Sequence, residues 1–150
     1  MTELLFVTAV AIASILCGLT VLDAKSRTNA DTEAKRNMHP LQLSLDVQSH
    51  LGPQDWLVFD GGNTHFWSEI AVNMAGWKGQ KLGGILHPGN YSLLGVGVSF
   101  AISAKAAHPE RNVVLISGDG AFLSGGLSIE AAFQEGLPIT VVIDNNGGLD

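Results

Sequence analysis

VVLISGDG, residues 113–120, is a run of apolar, mostly β-branched side chains stopped abruptly by glycine, aspartate and glycine. ITVVIDNN, residues 139–146, repeats that form and is stopped by Asn145, Asn146 and two glycines. A third copy stands upstream, WLVFD at 56–60, stopped by Gly61 and Gly62. Short runs that are apolar at successive positions, rather than at every second one, fit strands buried on both faces. Helical stretches are predicted between and around them: one opening at His39-Pro40 and ending near Gly52-Pro53, then 66–75, 93–107, and 127–134, the last closed by Gly136 and Pro138. Buried strands alternating with helices predict an α/β fold, a parallel sheet with helices on both faces. Ligands of such sheets bind at the carboxyl ends of the strands. All three predicted strand ends carry glycine together with Asp or Asn.

Composition narrows the classes of function. The chain has 150 residues, about one domain's worth, and a formal net charge of −6. An acidic chain of this kind lacks the basic patch that a nucleic-acid binder needs. Hydrophobic residues make up 46 % and charged residues 15 %, which excludes a disordered segment. A single cysteine, Cys17, excludes a disulfide framework and a multi-cysteine metal site, and makes a cytoplasmic location the default. The 18 glycines, with no Gly-X-Y period, point to tight turns or to backbone approaching a ligand.

Three divisions of the chain are expected. Residues 1–22 hold an uncharged apolar stretch from Leu4 to Leu22, read as a buried helix or, alternatively, a membrane anchor. Lys25, Arg27, Lys35 and Arg36 follow it, so an anchor would leave the rest of the chain on the cytoplasmic side. Residues 23–37 are polar and lack apolar periodicity, as in a linker, and residues 38–150 form the globular domain.

At two strand ends the residue types suit a particular chemistry. Gly118-Asp119-Gly120 by itself is an ordinary turn, and Asn145-Asn146-Gly147-Gly148 by itself a left-handed loop. Together they set a carboxylate and an amide oxygen at neighbouring strand ends. Hard oxygen donors of this kind suit Mg²⁺, which completes its shell with phosphate and water. Glycines beside the aspartate let backbone N–H groups approach phosphate oxygens.

GDG followed by about two dozen residues and NN resembles the cofactor motif of thiamine-diphosphate-dependent enzymes, and residues 39–150 resemble their C-terminal, diphosphate-binding domain. Within that family the sequence is most similar to the acetolactate synthase and benzoylformate decarboxylase group. The resemblance implies that the side chains of Asp119 and Asn146 and the carbonyl of Gly148 hold Mg²⁺. It also implies that Gly118, Gly120 and Ala121 bind the diphosphate, the last two through backbone N–H groups, and that Gly62, Asn63 and Thr64 of DGGNTHFW contact the terminal phosphate. In Ser92-Leu93-Leu94-Gly95, Leu94 matches the bulky residue that props the cofactor into a bent shape, bringing its pyrimidine amino group to the proton it removes.

The implied function is the thiamine-diphosphate- and Mg²⁺-binding portion of a 2-oxo acid decarboxylase or carboligase, a lyase or transferase acting on a C–C bond. In the family the glutamate that activates the pyrimidine ring lies in another domain, and Glu69, Glu130 and Glu135 are poor replacements because their helices turn acidic side chains to solvent. A pyrimidine-binding domain or subunit and a homo- or hetero-oligomer are therefore expected, with the isolated chain inactive. Family members continue past the position of Asp150 into a helix and loop that help close the site, so the fold is expected to be incomplete there. Ser99 replaces a frequent proline, and Gly148-Leu149-Asp150 replaces the usual aromatic pattern. Two other readings are a non-catalytic module that assembles with a complete enzyme and a membrane-tethered binder of nucleotide diphosphates or phosphosugars. His39, His50, His65, His87 and His108 lack ligand spacing and are read as surface or capping residues, with His65 and His87 near the cofactor mouth. Lys78 and Lys81 are read as solvated.

Overall fold

The computed structural model describes residues 8–9, 20–25 and 38–148. Its strands are β1 (Thr8–Ala9), β2 (Thr20–Lys25), β3 (Trp56–Phe59), β4 (Gly84–Leu86), β5 (Val113–Gly118) and β6 (Thr140–Asn145). They form one sheet in the order β1-β2-β6-β5-β3-β4. Every neighbouring pair from β2 to β4 is parallel, and β1 alone runs antiparallel, against β2. Helices α1 (Pro40–Ser49), α2 (Asn63–Trp77), α3 (Gly97–Ala107), α4 (Asp119–Gly125) and α5 (Ile129–Gln134) complete the described residues, with short 3-10 turns at Gly89–Tyr91 and Gly126–Ser128.

The continuous apolar runs have a two-sided explanation. Val113 and Leu115 of β5, Val58 of β3 and Val141 of β6 pack with Val98, Ala101 and Ala104 of α3. The alternate residues face the other way: Val114 and Val142 pack with Leu43 of α1, while Leu57, Phe59 and Ile116 pack with Val47, Leu51 and Val72. A strand buried on both faces has no polar side to alternate with, which is why the pattern reads as a block. The expected parallel α/β sheet with helices on both faces is therefore what forms.

Local chemistry sets the helix ends. His39 caps α1, its Nδ1 accepting from the N–H of Leu41 at 3.2 Å, and Pro40 occupies the first turn, where its missing donor costs nothing. Helix α3 starts at Gly97, later than the predicted 93, because Ser92 and Gly95 both take positive φ and cannot continue a helix. The predicted helix over 127–134 divides into the turn Gly126–Ser128 and α5.

The apolar N-terminal segment departs from the reading as a helix. Its described residues are strand: Thr8–Ala9, and Thr20–Lys25, which pairs with β6 from Thr20 opposite Thr140 to Lys25 opposite Asn145. A continuous apolar run serves a strand as well as a helix, and β2 pairs with β6 along its length. The strand also crosses the expected boundary at 22/23 and adds residues before Met38 to the sheet. The rest of 4–22, with Cys17, and residues 26–37 lie outside the described residues. Among the described residues, no helix is long and apolar enough to cross a membrane.

Candidate functional site

The parallel order brings the carboxyl ends of β3, β5 and β6 side by side. Two aspartates follow apolar strands there, and they sit in opposite environments. Asp60, after β3, is fully buried. Its carboxylate accepts from the N–H of Gly61 at 2.9 Å, the N–H of Gly95 at 2.9 Å and the Ser117 hydroxyl at 3.1 Å. It therefore ties the end of β3 to the end of β5 and to the loop that carries Leu94. Gly97 passes so close that a Cβ there would lie 2.8 Å from the Asp60 carboxylate and 2.7 Å from Leu115.

Asp119, after β5, is the first residue of α4 and is only half-buried. It lines a cleft of about 420 Å³ together with Gly120, Leu123, Ser124, Gly147 and Gly148. Asp144, near the end of β6, feels its charge: burial first, and the charge of Asp119 second, push the Asp144 carboxyl above the ordinary carboxylate range, while His39 pulls it down. The loop after β6 is shaped by two Asx turns, Asn145 Oδ1 accepting from Gly147 N at 3.1 Å and Asn146 Oδ1 from Gly148 N at 3.2 Å. The expected metal ligands Asp119 and Gly148 thus share one cleft, with Asn146 held on the same loop. Every donor in that set is a hard oxygen, which fits a magnesium ion rather than a thiophilic metal. Among the described residues, no three His, Cys, Asp or Glu side chains cluster as a metal site.

The remaining expected contacts gather beside this cleft. Thr64 is buried, and its Oγ1 lies 3.2 Å from where a Cβ on Gly118 would stand. Leu94, 40 % exposed, sets its Cδ2 3.1 Å from the corresponding point on Gly62. Gly120 and the buried Ala121 form the first turn of α4, and exposed Asn63 begins α2. Gly62 differs from the expectation in one respect. Its N–H donates to Ser92 Oγ at 2.8 Å, so the backbone donor implied for a phosphate is already engaged. The loop with Leu94 also meets α4 closely through its backbone: a Cβ on Gly125 would collide with the Gly95 carbonyl.

Sequence reading missed the organising role of Asp60 and the grouping of His65, His87 and Ser92. His65 Nδ1 is 3.1 Å from Ser92 Oγ, and its Nε2 is 3.1 Å from His87 Nδ1. Phe59 stacks on both imidazoles. Burial, then the neighbouring His87, lower the pKa of His65, with Glu69 opposing. An aspartate directly after an apolar strand and before two glycines was a signal for the first. Nothing local signalled the second, since its members are far apart in sequence. His39 does cap a helix as expected, and His108 stacks on Trp56.

Strand-end glycines, a carboxylate on a cleft between them and a bulky residue over a neighbouring turn are features that an α/β module for a phosphate-bearing cofactor requires. The family model for the thiamine pyrophosphate enzyme, C-terminal TPP binding domain, matches residues 60–150, and the chain belongs to that family. It is 31 % identical over 111 residues to the putative acetolactate synthase large subunit IlvB2 of Mycobacterium tuberculosis, covering 74 % of this chain and 19 % of that protein. It is 41 % identical over 64 residues to the 2-hydroxyacyl-CoA lyase of Saccharomyces cerevisiae, 43 % of this chain and 11 % of that one. Against human 2-hydroxyacyl-CoA lyase 2 the identity is 29 % over 124 residues, 81 % and 18 % of the two chains. The chain spans about a fifth or less of the length of these curated relatives.

Proposed function

We propose that this chain supplies the diphosphate- and Mg²⁺-binding half of an enzyme that makes or breaks a C–C bond next to a carbonyl, with acetolactate-synthase-like carboligation of a 2-oxo acid as the leading reaction. The observation that carries this is the single cleft lined by Asp119, Gly120 and Gly148 at the ends of β5 and β6. Thiamine diphosphate, when bound, supplies a carbon nucleophile for the carbonyl of the substrate. Asp119, Asn146 and the Gly148 carbonyl hold the cation, and the cation offsets the acidic charge that would otherwise repel a diphosphate. Gly118, Gly120 and Ala121 let backbone approach the phosphates, with Asn63 and Thr64 across from them. Leu94, set over Gly62, would limit the conformations open to the cofactor when it is bound.

The pyrimidine-activating glutamate is assigned to a second domain or subunit. Glu69, Glu130 and Glu135 are exposed on α2, α5 and the residue after α5, outside the cleft lining. Leu94, Leu123 and Leu127 present apolar surface around the site, 40 %, 80 % and 93 % exposed, as a covering domain requires. Calorimetric titration of the chain with thiamine diphosphate, with and without Mg²⁺ and with an added pyrimidine-binding domain, tests the assignment. Mg²⁺-dependent binding that tightens with the second domain is expected. Absence of binding in all of these conditions refutes it and favours a non-catalytic module.

A further inference from the structure

Ser92 is, among the described residues, the one non-glycine side chain with positive φ, at 47°. A left-handed serine is an uncommon choice two residues before the leucine that faces the cofactor cradle. Its hydroxyl explains the choice. It accepts from the N–H of Gly62 at 2.8 Å, and it lies 3.1 Å from His65 Nδ1. His65 in turn reaches His87 through Nε2 and Nδ1 at 3.1 Å, and His87 Nδ1 also accepts from the N–H of Gly89 at 3.2 Å.

Both ends of this chain are backbone N–H groups, which can only donate, and that fixes every proton between them. His87 Nδ1 must be a bare lone pair because Gly89 donates to it. His65 Nε2 must then carry the hydrogen that bridges the rings. With the ring's one hydrogen on Nε2, the Nδ1 of His65 is bare and the Ser92 hydroxyl donates to it, leaving oxygen lone pairs for Gly62. We propose that Ser92 is a positioning residue for the cofactor cradle and that the hydrogen-bonded His65–His87 pair orients it, a directed chain that locks the Leu94 loop onto the Gly62 turn. This rests on the cradle described under Proposed function.

The groups facing the pair are few. Glu69 on α2 lies 3.8 Å from His65 Nε2, Phe59 of β3 stacks on both rings at 5.5 and 5.0 Å, and the rings stand 5.2 Å apart. No fixed cation is among them.

Long-range ¹H–¹⁵N correlation of the imidazoles in the full, cofactor-free chain reads the proton arrangement directly. Both histidines are expected as Nε2–H tautomers at pH 8. An Nδ1–H tautomer at either, or averaging typical of free imidazole, overturns the proposal. Ser92→Gly keeps the left-handed backbone without strain and removes only the hydroxyl. It is expected to weaken Mg²⁺–thiamine diphosphate affinity about fivefold at pH 8, the factor set by one lost hydrogen bond. His87→Phe, which preserves stacking and removes only the acceptor for His65 Nε2, is expected to lower that affinity at pH 8 in the same direction, and an affinity unchanged from the unsubstituted chain overturns the part of His87 in orienting Ser92. If Ser92→Gly binds as tightly as serine, Ser92 is merely a turn residue and the proposal fails. Loss of cofactor binding by the unsubstituted chain would refute the cofactor reading instead, and the tautomers would still decide the hydrogen-bond chain.

Discussion

Asp60 and Asp119 occupy equivalent places in the sequence, each following an apolar strand and each followed by glycine, yet the fold gives them opposite tasks. Asp60 is sealed from water and surrounded by three donors, whereas Asp119 opens onto a cleft and acts electrostatically on a second carboxyl, Asp144. A carboxylate with its bonds filled is an internal fastener. One with donors lacking and a like charge beside it is prepared for a cation. The distinction arises from which strands are neighbours, and local sequence does not contain it.

The largest effects come from exchanging these environments for alanine. Asp60→Ala strands two backbone N–H groups and a hydroxyl in the interior and is expected to cost about 3–5 kcal/mol in chemical denaturation. Asp119→Ala is expected to leave stability within about 0.5 kcal/mol while reducing Mg²⁺-dependent thiamine diphosphate affinity by more than about a hundredfold. An unchanged denaturation midpoint in the first, or unchanged affinity in the second, would erase the contrast.

Gly97→Ala sharpens the Asp60 side of it. The added methyl presses on that carboxylate and on Leu115, and a loss of about 1–3 kcal/mol is expected. Gln48 gives the opposite control. It is 1 % exposed beside a cavity of about 290 Å³ between α1, α2 and β4, and neither atom of its side-chain amide has a partner. Gln48→Leu is expected to raise stability by about 1–2 kcal/mol, since it removes an unsatisfied polar group at similar volume. Together the two variants measure whether buried polarity is tolerated here only when it is bonded.

The smallest effect is a pH dependence from His65. Its folded pKa lies below its ordinary value of 6.5, so the unfolded chain binds the proton more readily. Its contribution to stability is complete above pH 6.5, declines as pH falls through that value, and levels off below the folded pKa. His65→Gln is expected to flatten this part of a denaturation profile taken from pH 8 to 5.

How much of this was legible follows the range of the interactions. The strands β3, β5 and β6 were legible because burial on both faces writes itself into consecutive residues, and the GDG and NN stops marked their ends. Strand β4 was not, being only Gly84–Leu86 beside a further glycine. Strand β2 was misread because an apolar run does not declare its secondary structure. Asp119, Gly120, Gly148 and Leu94 could be named only through the family resemblance that GDG and NN carry, and the structure sets three of them on one cleft and the fourth over Gly62. The clamp on Ser92 was invisible, since Gly62, His65 and His87 reach it only after β3, α2 and β4 have been placed.

Gly95 and Gly125 meet backbone to backbone, and what blocks a side chain on Gly125 is a carbonyl that every amino acid carries. No substitution at 95 can therefore make room for one at 125. Most tight contacts in a protein can drift in concert, one side chain shrinking as its neighbour grows, but this one has nothing to trade. In a diversified library position 125 should return to glycine under selection for folding even where Leu94, Leu123 and Leu127 are free to vary, which makes the Gly95–Gly125 crossing a fixed point around which the chemistry of the cleft can be redesigned.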